Sequence, residues 1–72
     1  MNKFKERLKE LRIEKNLTQK QLSKKLNVSE DSIYNWENGR SEPSITDLIN
    51  LSIILDVTID YLVGKTQICF IY

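Results

Sequence analysis

The segment LTQKQLSKKLNVSEDSIYNWENG, residues 17–39, narrows the accessible folds more than any other stretch of the chain. Thr18 reads as a helix N-cap, because its hydroxyl can accept from the orphan amides of a first turn. Gln21, three residues on, completes a capping box. Leu22 and Leu26 then give a short second helix, roughly 18–25, one apolar stripe, and Leu17 stands where a hydrophobic staple belongs. Asn27 follows, the residue type that after glycine best tolerates a left-handed backbone. Val28 is an apolar plug in the turn. Ser29 caps a third helix, about 30–38, which Asn38-Gly39 closes.

Two short helices joined by so tight a turn have helix-turn-helix geometry. The flanking sequence supplies more helices. Phe4, Leu8 and Leu11 recur at helical spacing and predict a first amphipathic helix over 3–15, with Asn16 as its stop. Beyond the loop Gly39–Pro43, Ser44 and Asp47 frame a fourth N-terminus, and Ile45, Leu48, Leu51, Ser52 and Leu55 form its expected inward stripe. Thr58 caps a last short helix carrying Ile59, Tyr61, Leu62 and Val63, stopped by Gly64. The expectation is one compact all-α domain of five helices over residues 1–64. The tail KTQICFIY, residues 65–72, departs from this pattern. Ile68, Phe70 and Tyr72 alternate with Cys69 and Ile71, which suits an extended arm that folds back on the body or meets a second subunit in a dimer.

Composition removes several function classes. The sequence has no histidine and one cysteine, Cys69, so neither the usual zinc sets nor an internal disulfide is expected. The lone thiol fits a reducing cytoplasm. No run approaches the roughly 20 apolar residues of a membrane span, and MNKFKERLKE is too charged for a signal peptide. Nothing assembles a catalytic set or a glycine-rich phosphate loop, so neither an enzyme nor a cofactor is expected. On this reading no room remains beyond Gly64 for a ligand-sensing domain.

The formal net charge of +1 hides an asymmetry. Residues 1–27 carry nine basic and three acidic side chains, and residues 28–72 carry two basic and seven acidic ones. A basic half suggests an anionic partner, although a solvated helix face with pairs such as Lys5–Lys9 beside Glu6–Glu10 explains charge of this kind as well. At 100° per residue along the third helix, Ile33 and Trp36 point inward, with Glu37 at their edge. Asp31, Tyr34, Asn35 and Asn38 point outward, flanked by Glu30. Asparagine pairs with adenine in the major groove, and a carboxylate accepts from the cytosine amino group.

Together, LTQKQLSKKLNVSEDSIYNWENGRSEPS and LINLSIILDVTIDYLVG resemble the phage-repressor/Cro type of helix-turn-helix domain, the xenobiotic-response-element family, from about residue 4 to 64. The resemblance rests on Thr18-Gln19, Val28-Ser29, Ile33, Trp36-Glu37, Asn38-Gly39, Pro43-Ser44 and Asp60-Tyr61-Leu62. It implies a lambda-repressor-like fold and a sequence-specific transcriptional regulator. The expected mode is a repressor that binds a palindromic operator in double-stranded DNA as a homodimer. By the same resemblance, Glu30, Asp31, Ser32 and Asn35 would read base edges. Gln19, Lys20, Tyr34, Asn38 and Arg40 would hold phosphates, and Arg12 and Glu37 would form a structural ion pair.

Ser23 replaces the usual alanine at the helix crossing, and Asn27 replaces the usual turn glycine. Glu30 and Asp31 have two readings. Carboxylates at a helix start stabilise it through the macrodipole, and the same groups can accept from cytosine. A protein-interaction module of the same fold, such as an antitoxin or bridging factor with a protein partner, is the competing function.

Overall fold

A computed structural model describes residues 3–65 of the chain. It contains five helices: α1 (Phe4–Glu14), α2 (Gln19–Leu26), α3 (Glu30–Glu37), α4 (Ile45–Leu55) and α5 (Ile59–Leu62). Residues 66–72 of the tail expected to be extended lie outside the described residues.

Side-chain caps set four of the five helix starts. Thr18, Ser29, Ser44 and Thr58 each hold an extended backbone and accept from the amide three residues on. At α2 the box is reciprocal: Gln21 N–H donates to Thr18 Oγ1 at 3.0 Å, and Thr18 N–H donates to Gln21 Oε1 at 2.8 Å. Lys3 precedes α1 without such a bond.

All five helix ends share one device. A left-handed residue follows each helix: Asn16, Asn27, Gly39, Asp56 and Gly64. The next amide then reaches back to a carbonyl five residues earlier, as in Val28 N–H to Ser23 O at 3.0 Å and Arg40 N–H to Asn35 O at 2.9 Å. This satisfies carbonyls that the helix itself cannot, and it turns the chain sharply. Leu17, Val28 and Val57 occupy that next position in three of the ends and pack on the core. Asn27 takes φ 59°, as the sequence suggested.

Phe4, Leu8 and Leu11 of α1, Leu22 and Leu26 of α2, Ile33 and Trp36 of α3, Leu51 and Leu55 of α4 and Leu62 of α5 make one core. Two polar residues join it. Ser23 is buried, and its hydroxyl donates to Lys20 O at 2.7 Å, so the helix crossing stays close without an unmet polar atom. Arg7 is only 7 % exposed. Its Nη1 donates to Tyr61 O at 2.6 Å, and its guanidinium lies 4.1 Å from the centre of the Tyr61 ring. Arg7 therefore pins α1 to α5.

Two features of α4 differ from the sequence reading. Ile45 was expected to face inward but is 76 % exposed. The inward direction is set by Leu51 and Leu55, and Ile45 lies about 100° from their mean at 3.6 residues per turn. Ser52, also expected inward, sits half-buried at the edge and donates to Ile49 O at 2.7 Å.

Candidate nucleic-acid interface

α3 rests on α1 and α2, with Ile33 and Trp36 as its buried anchors. That docking turns a polar face outward. Glu30, Asp31, Tyr34 and Asn38 are exposed, and Ser32 and Asn35 are half-buried at the flanks. Ser32 is partly committed to the helix start: its amide donates to Ser29 Oγ at 3.2 Å and its hydroxyl lies 3.0 Å from the same atom. Asn38 closes the helix, its Nδ2 donating to Tyr34 O at 2.7 Å. Arg40 follows at once, with its guanidinium 5.8 Å from the Tyr34 ring centre.

A single carboxylate sets the relation of this face to α2. Glu37 is nearly enclosed, its side chain 2 % exposed. Arg12 Nε donates to Glu37 Oε2 at 2.7 Å, and Arg12 Nη2 donates to Oε1 at 3.2 Å. Gln19 Nε2 also donates to Oε1, at 3.2 Å. Arg12 Nη1 reaches Leu17 O at 2.8 Å. One ion pair thus joins the end of α1, the following turn, the start of α2 and the end of α3. Gln19 is held half-buried at the α2 N-terminus beside exposed Lys20. Thr18 engages the amide of Gln21, so that terminus presents the leading amides of Gln19 and Lys20.

Every candidate site residue lies on this one side, on the start of α2, the outer face of α3 or the loop after it, with Arg12 and Glu37 behind as the tie. Sequence reasoning missed Lys5. A Cβ placed on Gly39 would lie 3.2 Å from Lys5 Cδ and 3.6 Å from its Nζ. The Lys5 ammonium therefore sits over the loop that carries Asn38 and Arg40. The available signal is spacing: Lys5 precedes Arg12 by two turns of α1 and shares its face.

A helix-turn-helix family model matches residues 8–62. The chain belongs to the xenobiotic-response-element (phage-repressor) family of helix-turn-helix domains. Among solved structures, it is similar to the P22 c2 repressor in complex with a synthetic operator. There the TM-score is 0.83 at 32 % identity, covering 88 % of this chain and 96 % of that one. The N-terminal DNA-binding domain of SinR from Bacillus subtilis gives a TM-score of 0.80 at 27 % identity, covering 90 % and 96 %.

By sequence, the chain is 42 % identical to the HTH-type transcriptional activator BcrR of Enterococcus faecalis over 90 % of its own length and 32 % of that protein's. It is 37 % identical to the HTH-type transcriptional regulator ImmR of Bacillus subtilis over 86 % of its length and 49 % of that protein's. The chain thus spans half or less of these two relatives.

Placement in this family gives the charge asymmetry a finer structure. Two of the nine basic side chains of residues 1–27, Arg7 and Arg12, hold the fold together. Among the cations that face solvent, Lys5 lies over the Gly39 loop, Arg40 lies beside Tyr34, and Lys20 follows Gln19 on α2. The polar face of α3 itself begins with Glu30 and Asp31.

Proposed function

We propose that this domain binds double-stranded DNA in a sequence-specific manner and regulates transcription, with α3 in the major groove. The observation that carries the reading is the Arg12–Glu37–Gln19 tie. It fixes the start of α2 against the polar face of α3, as two-point docking on a duplex requires. Gln19 uses one amide hydrogen on Glu37, which leaves the second for a phosphate oxygen. Lys20, Arg40 and Lys5 supply positive charge to either side, and the second amide hydrogen of Asn38 and the Tyr34 hydroxyl complete the phosphate contacts. Asn35 is the adenine reader, while Glu30 and Asp31 accept from cytosine amino groups. Ser32 reads at short range from the edge.

A domain this small covers few base pairs, so the working form is a homodimer on a palindrome, with half-sites about one helical turn apart. Repression follows from seating alone, since a bound dimer occludes a promoter with no further contact. The cytoplasm, where the chromosome lies, is the place of action. Selection from random duplexes at low salt tests the reading and should enrich one two-fold symmetric motif. A pool that gains no motif after repeated rounds would remove sequence-specific binding. Titrating salt on the selected site then counts phosphate contacts from the slope of log K against log salt.

A further inference from the structure

An open cleft of about 550 Å³ is lined by Lys15, Leu17, Lys25 and Ile54. These residues come from the end of α1, the turn after it, the last turn of α2 and the last turn of α4. Leu17 and Ile54 are half-buried and pack on the core, so they form an apolar floor. Lys15 and Lys25 are exposed. Neither ammonium has a hydrogen bond or an ion pair among the described residues, and no lining residue is acidic. No residue of α3 lines the cleft, which sets it apart from the polar face of that helix.

Each lysine stands at a helix C-terminal end, where the macrodipole favours positive charge. That accounts for the residue type at each position. It does not account for two unpaired ammonium groups around one apolar floor, in a cleft within the range of small-molecule sites, about 300–1,000 Å³.

We propose that this cleft binds a small amphiphilic anion, a carboxylate or phosphate head on a short apolar body. The head pairs with Lys15 and Lys25, and the body covers Leu17 and Ile54. Lysine carries three donors on a flexible stem and acts as a point charge, so it accepts either head group. The apolar floor selects against a bare inorganic anion, which gains nothing by covering Leu17 and Ile54. Charge selects against a neutral or cationic amphiphile.

The floor of the cleft adjoins the tie behind α3. Leu17 O accepts from Arg12 Nη1 at 2.8 Å, and Arg12 in turn holds Glu37. A ligand seated in the cleft therefore lies against the turn that this tie anchors. The inference needs no DNA, so it stands or falls separately from the reading above.

The test titrates the full chain, labelled with nitrogen-15, with octanoate and octyl phosphate. Octanol, octylammonium and inorganic phosphate are run in parallel. Saturable amide shifts centred on Lys15, Leu17, Lys25 and Ile54 are expected with either amphiphilic anion, and at most weak shifts with the other three. Lys15→Glu/Lys25→Glu should exchange the preference, losing octanoate and gaining octylammonium, while circular dichroism shows that the fold is kept. If that variant unfolds, Lys15→Gln/Lys25→Gln takes its place. It should raise the octanoate Kd about tenfold, as the loss of two exposed ion pairs implies.

No saturable shift with either amphiphilic anion overturns the proposal. Octanol that binds as well as octanoate, or inorganic phosphate that matches octyl phosphate, does the same. So do shifts centred on Ile45, Ile49 and Ile53, or shifts that accompany loss of the helical signal. Octanoate that binds only to Ile68→Ser/Phe70→Ser would also overturn it, because the tail would then hold the cleft in the unaltered chain.

Discussion

Asp31 stands at the second position of α3, exposed, on the face proposed to meet a polyanion. Its carboxylate lies in the first turn, where the helix macrodipole favours negative charge. It also penalises any approach in which a phosphate, rather than a cytosine amino group, comes opposite it. Asp31→Ala should therefore raise affinity for arbitrary duplex while narrowing the gap between the selected site and a scrambled one. Fluorescence anisotropy on both duplexes measures this. Undiminished discrimination would reduce Asp31 to a charge that steadies the helix start.

Lys5 makes the complementary case. Its ammonium lies over the Gly39 loop through packing of α1 on α3, a contact that spans 34 residues of sequence, so the spacing from Arg12 gives the face of Lys5 but not the loop it meets. If it meets one phosphate, Lys5→Ala lowers the magnitude of the salt slope by about 0.9 and leaves base preference unchanged. An unaltered slope would place Lys5 outside the contact.

At the scale of helices, starts and stops follow different physics, and they were unequally legible. Thr18, Ser29, Ser44 and Thr58 cap through their own side chains three residues ahead, so composition alone marks them. Stops need a left-handed residue, and residue type signals that well for Gly39 and Gly64, fairly for Asn16 and Asn27 and poorly for Asp56. The left-handed state at Asp56, φ 58°, is paid for by the two amide bonds behind it. For a residue with a Cβ this state costs about 1–2 kcal/mol, and glycine in the unfolded chain offsets about 0.5–1 of any relief. Asp56→Gly should accordingly stabilise the domain by about 0.5 kcal/mol in urea unfolding, and a loss would show that the Asp56 side chain contributes more than its backbone costs.

Gly64 runs the other way. Its φ is 85°, and a Cβ there would lie 2.8 Å from Lys3 Cβ and 2.9 Å from Lys3 Cγ. Gly64→Ala forces the backbone and the start of α1 apart together, so the expected destabilisation is about 1–2 kcal/mol, with a lower thermal midpoint. The exposure of Ile45 and the burial of Arg7 were illegible for a related reason. Both depend on which face of a helix its neighbours cover, and periodicity fixes a stripe's direction only to within a residue or so.

For the molecule as a whole, the Arg12–Glu37 pair links recognition to folding. It joins α1 to α3 while the same carboxylate holds Gln19. The residue types at Arg12 and Glu37 were readable only through the family resemblance, because a pair 25 residues apart has no periodic signature. A domain of 72 residues has a total stability of roughly 4–10 kcal/mol. Removing one partner of a buried pair costs about 3–5 kcal/mol, because the other charge is left enclosed. Glu37→Leu alone should thus remove a large fraction of the total stability, read as a lower urea midpoint.

Replacing both charges by apolar groups of similar size is often neutral, so Arg12→Met with Glu37→Leu should recover most of that loss. The double variant would still lack the acceptor that holds the Gln19 amide. If Glu37 serves folding alone, DNA affinity returns with stability. If it also sets Gln19 for a phosphate, the refolded double variant binds its selected site more weakly and with a shallower salt slope, whereas Gln19→Ala in that background costs nothing further. Comparing melting curves with binding isotherms for the single, double and triple variants separates the two roles: affinity restored in full with the fold would confine Glu37 to the scaffold.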